Sequence, residues 1–131
     1  FNRNKVISAR GLPVDSQIIE QMENRIQHLE YRIRLLSEIA DYDSHPFVYT
    51  VLEANLTESQ VIGIYDLMDQ ATEIIRGGKE LALCRIEQGI FELIPNKKGN
   101  YHLVKDIIGA LNDEGRWVEV YNHLREKGAD I

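Results

Sequence analysis

Apolar side chains recur in alternating steps of three and four from residue 19 to residue 40, at Ile19, Met22, Ile26, Leu29, Ile33, Leu36 and Ala40. On an α-helix these positions share one stripe, and a seven-residue repeat of this kind is how helices pair with one another. The spacing predicts a long, coiled-coil-like helix that begins at Asp15 or Ser16, where a short side-chain oxygen can cap the open amides of the first turn. Tyr31, Leu35 and Ile39 lie off the stripe and widen the apolar surface, which predicts packing on the helix's own chain as well.

The helical period continues to the end of the chain. Pro46 breaks the first helix and suits the first turn of a second, with Phe47, Val48, Val51 and Leu52 as its apolar residues and its end near Asn55. Thr57 and Gln60 have capping-box spacing, and Val61, Ile64, Met68, Ala71 and Ile75 give the third helix its inner stripe before Gly77 and Gly78 end it. Leu83, Ile86, Ile90 and Leu93 mark a fourth helix closed by Pro95. Leu103, Val104, Ile107, Ile108 and Leu111 mark a fifth, and Trp117, Val120, Tyr121 and Leu124 a sixth ending at Gly128. No strand-like alternation of useful length is present. The expected fold is all-α, a multihelical bundle of residues 15–131 in one domain, preceded by residues 1–14 as a flexible basic arm or a remnant of added sequence.

Charge and composition narrow the possible partners. The 131 residues are 44% hydrophobic and carry 21 acidic against 15 basic side chains, a net charge of −6. Arg3, Lys5 and Arg10 put three positive charges and no acid into residues 1–14, so the remainder stands at −9. Such a body repels phosphate backbones and anionic lipid, which argues against nucleic-acid or membrane binding except through the arm. The lone cysteine, Cys84, excludes an intrachain disulfide and fits a reducing cytoplasm. No apolar run approaches the roughly 20 residues of a membrane span, and no signal-peptide core is present.

The candidate chemistry is sparse. Asp41, Asp43 and His45 crowd the break after the first helix and invite a metal or ligand reading, but Pro46 and Leu52 stand where a calcium loop needs glycine and glutamate. Turn formation and capping account for the two aspartates with Ser44. His28, His45, His102 and His123 form no zinc-type spacing with one another or with Cys84, and Gly77-Gly78-Lys79 lacks the spacing of a phosphate loop. Cys84 has no local base and reads as a small buried or half-buried hydrophobe, while His28 sits on the outer side of the stripe, in solvent or at a rim. Catalytic residues, cofactors and metal ligands are not indicated.

Three sets of residues together resemble a known family. The run Arg25-Ile26-Gln27-His28-Leu29-Glu30-Tyr31-Arg32-Ile33, then Leu35-Leu36, then Asp41, Asp43, Pro46 and Phe47, resembles the YhaI-like family of small bacterial proteins of unknown function. The likeness runs more loosely through Leu56-Thr57-Glu58 to the last two helices, over roughly residues 22–126. It implies a multihelical fold and self-association, and it brings no activity, substrate or catalytic residue.

Three functional readings follow. The first is a non-catalytic homo-oligomeric interaction or regulatory module, a homodimer or homotrimer with another protein as the further candidate partner, and with Ile19, Met22, Ile26, Leu29, Ile33 and Leu36 as its seam. Arg25 and Arg32 precede the first apolar site of their heptads, and Glu23 and Glu30 follow the second. A parallel pair would set Arg25 against Glu30 of the other copy, whereas an antiparallel pair would oppose like charges. The second reading is a small-molecule or metal sensor, or an enzyme, with a pocket where Asp41, Asp43 and His45 meet Tyr49 or Tyr65. The third is nucleic-acid binding through the basic arm, set against an acidic body.

Overall fold

The structure of the chain, a computed structural model, describes residues 5–7 and 13–131. Two compact units make up the chain, residues 1–40 and residues 41–131.

The first unit contains a short hairpin and a long helix. Strands β1 (Lys5–Ile7) and β2 (Pro13–Asp15) pair antiparallel, with Lys5 opposite Asp15, Val6 opposite Val14 and Ile7 opposite Pro13. The pattern of apolar residues does not foretell them, because three residues are too few for an alternation to register. The rest of the expected arm lies outside the described residues. Helix α1 (Ser16–Ile39) runs for 24 residues, about 36 Å at 1.5 Å per residue. Its N-cap is Asp15, whose carboxylate accepts from the Gln17 N–H at 2.9 Å. No residue of α1 is buried.

Five helices form the second unit: α2 (Pro46–Ala54), α3 (Glu58–Arg76), α4 (Leu83–Leu93), α5 (Tyr101–Asp113) and α6 (Val118–Glu126). Each boundary has a local cause. Pro46 opens α2, and Asn55 closes it in the left-handed region, at φ 54°. Thr57 and Gln60 satisfy each other's backbone amides at the start of α3, Asn100 caps α5, and a 3-10 turn from Pro95 to Lys97 follows α4. Helix α2 packs on α5, α3 on α4 and α6, and α5 on α4 and α6.

The core draws together the stripes of α3 to α6, joined by Phe47, Leu81 and Ile94. Ile64, Met68 and Ala71 of α3 meet Ile86 and Ile90 of α4, and α5 contributes Val104, Ile107, Ile108 and Leu111. Val120 and Leu124 complete it from α6. Two small residues let α3 and α4 approach: a Cβ on Gly63 would lie 2.5 Å from Leu93, and one on Gly89 would lie 2.7 Å from Leu67.

Several expectations need correction. Only Phe47 of α2 is buried, with Val51 and Ala54 packed beside it, while Val48 and Leu52 face solvent from the opposite side of this short helix. Cys84 is exposed, since it lies nearly opposite Ile86 on the α4 wheel. Tyr31, Leu35 and Ile39 are exposed as well. Among the described residues, no helix is long and apolar enough to cross a membrane.

Candidate functional site

The ridge of α1 is a regular apolar feature that the fold leaves exposed. Met22, Ile26, Leu29, Ile33 and Leu36 keep between 45% (Leu29) and 62% (Leu36) of their surface, and Ile19 is half-buried. Among the described residues of the first unit only the hairpin stands beside the helix, and its second strand meets it at the N-terminal end. In folded proteins most of a helix's stability comes from packing its amphipathic face rather than from its own backbone hydrogen bonds. Among the described residues, no member of the α1 heptad is buried in this way.

Charge frames the ridge on both sides. Arg25, Arg32, Glu23 and Glu30 are exposed, and neither Arg25 nor Glu30 joins an ion pair of its own chain among the described residues. Farther round the helix, the Arg34 guanidinium lies 5.4 Å from the Tyr31 ring centroid. His28 is exposed. Of the arm's cations, Arg3 and Arg10 lie outside the described residues.

The other candidate residues are only partly brought together. Asp41 accepts from Ser44 twice, from its N–H at 3.3 Å and its hydroxyl at 2.6 Å, and these bonds hold the Asp41 carboxyl below its usual range. They make it the anchor of a turn. His45 precedes α2, gives it no side-chain cap and donates its backbone N–H to the Tyr42 carbonyl. Asp43 instead joins Tyr42, Tyr49, Lys105, Asp106 and Asp113 around an open groove of about 690 Å³ between α2 and α5. The Tyr42 and Tyr49 rings meet edge to face there at 5.3 Å. A hydrogen bond to Glu53, together with that carboxylate's charge, pushes the Tyr49 phenol above its ordinary range. Tyr65 faces Phe47, Trp117 and Arg116 instead. No group of three or more His, Cys, Asp or Glu residues among the described ones could hold a metal ion.

A polar cluster that the sequence did not signal joins α2 to the end of α5. Glu114 accepts from the Phe47 N–H at 2.7 Å, at the open first turn of α2, and its other oxygen lies 3.5 Å from Arg116 Nη1. The Arg116 guanidinium lies over the Phe47, Tyr65 and Trp117 rings at 5.7, 4.6 and 5.2 Å. Hydrogen bonding to Tyr65 raises the Arg116 pKa further. Trp117 sits in the left-handed region at φ 49° and donates its indole N–H to Asp69 at 2.9 Å. Phe47 and Glu114 are 67 residues apart, so no local spacing could have found the contact.

A model for a family described as "Protein of unknown function (DUF1878)" matches residues 19–126, which includes nearly all of α1 and every helix after it. No solved structure matches the chain.

Proposed function

The chain belongs to the DUF1878 family of proteins of unknown function, and we propose that it is a non-catalytic, homo-oligomeric helical module, interacting or regulatory in role, whose working surface is the α1 ridge. One observation carries this reading: a helix of 24 residues has no buried side chain although a strict heptad of apolar residues runs along it. The apolar stripes of α3 to α6 are taken into a core, so an apolar ridge this regular left exposed favours a partner. Covering five side chains that are already about half-buried gains roughly 1 kcal/mol each, about 10 kcal/mol for two copies. That is comparable to the roughly 4 to 15 kcal/mol that association costs in lost freedom. Concentration-dependent self-association is the expectation.

Other features support the same reading. The likeness of the Arg25–Ile33 and Asp41–Phe47 motifs to the YhaI-like family of small bacterial proteins implies self-association. The free, exposed thiol of Cys84 suits a reducing, cytoplasmic setting. A ligand site about Asp41, Asp43 and His45 has weaker support, because Asp41 is engaged by Ser44 and His45 is not among the residues lining the groove.

Sedimentation of the full chain tests the proposal. The wild type should sediment as a multiple of its 15.1 kDa at micromolar concentration, and Leu29→Glu, which would set carboxylates face to face in the seam, should sediment as a monomer. A monomeric wild type, or an oligomer indifferent to Leu29→Glu, would reject it.

A further inference from the structure

We infer that the α1 ridge is covered by a second copy of α1 running parallel and in register, its direction set by Arg25 of each copy against Glu30 of the other. The inference rests on the ridge being a seam between copies, and it names the one arrangement that the exposed side chains fit. Ile19, Ile26 and Ile33 occupy the first apolar site of the heptad, and Met22, Leu29 and Leu36 the second. Branched isoleucine at the first site with leucine at the second fills the layers of a parallel two-stranded coil.

The flanking charges then decide direction. In a parallel pair, the residue before one first site faces the residue five positions on in the other copy, which joins Arg25 to Glu30 twice by symmetry. Reversing one helix instead sets Arg25 beside Arg32 and Glu23 beside Glu30. Neither Arg25 nor Glu30 is held by an ion pair within its own chain among the described residues, so both are available. Parallel pairing also has a topological consequence. Both chains leave the coil at Ala40, so the two bodies of residues 41–131 are tethered to one end and not to opposite ends of a rod about 36 Å long. A partner that meets one body then meets the second at raised local concentration.

Two experiments on the full chain separate the direction of pairing from its existence. The first compares dimer dissociation constants by sedimentation. Arg25→Glu should weaken the dimer about tenfold, since two attractions become two repulsions of a few tenths of a kcal/mol each. Adding Glu30→Arg should restore most of the loss. An antiparallel pair predicts the opposite sign, because the new carboxylate would meet Arg32, so a tightening or no change overturns the inference. The second places Leu29→Cys in a Cys84→Ser background under mild oxidation. A parallel in-register coil sets position 29 against itself and should cross-link in high yield. An antiparallel coil sets it against Ile26 and should not cross-link, which would also overturn the inference. A wild type that stays monomeric would instead sink the functional reading itself.

Discussion

Removing the Glu114 carboxylate is the sharpest test of how the helical body is held together. Helix α2 begins without a side-chain cap from His45, and Glu114 fills that role from the far end of α5 by accepting the Phe47 N–H at 2.7 Å. The bond is charge-assisted and partly buried, and the acceptor sits where the dipole of α2 favours an anion. Glu114→Ala leaves that amide without a partner and frees Arg116 from its carboxylate, so the loss should be about 2 kcal/mol. Glu114→Gln keeps an acceptor but not the charge and should lose about half as much. In urea, followed by far-ultraviolet circular dichroism, the alanine variant's midpoint should fall by about 1 M for a chain of this size. A fall smaller than about a quarter of that would refute the argument, as would equal losses for the two variants.

Other outcomes follow from single contacts. Gly109→Ala should stabilise the fold by up to about 1 kcal/mol, because a Cβ there meets nothing within 4 Å and alanine suits a helix better. Gly89→Ala should show no such gain, since its Cβ would press on Leu67. Phenolate titration should show Tyr49 ionising above the ordinary range and returning toward it in Glu53→Gln. Because its folded pKa is raised, the contact contributes below the free phenol's range and is lost as pH rises through the raised value. Cys84 should react with a small thiol reagent in the native protein without denaturant, and protection until unfolding would contradict its exposure.

Much of the helical body was legible because its signals are local. Capping at Thr57 and Gln60, the stop at Pro95 and the five apolar positions of α5 are each written within a few residues, and each stands in the structure where the pattern placed it. The errors arose where the pattern was too short or the cause too distant. Over the nine residues of α2 the apolar positions fit more than one face, and Phe47 was chosen as the anchor by contacts that reach across to Glu114 and Tyr65. Cys84 was misplaced because a residue next to a stripe in sequence can lie across the helix from it. The α1 ridge was the clearest signal in the sequence, and its exposure is what a pattern alone could not supply, since a heptad reads the same whether a core or another molecule covers it.

Hydrogen exchange as a function of protein concentration bears most directly on what covers the ridge. If a second copy does, the amides of Ser16–Ile39 should exchange more slowly as concentration rises through the micromolar range, while the core amides of α3 and α5 keep the same rates. Equal exchange of the α1 amides at every concentration would mean that association does not protect this helix, and the account of the protein as a self-pairing module would fail.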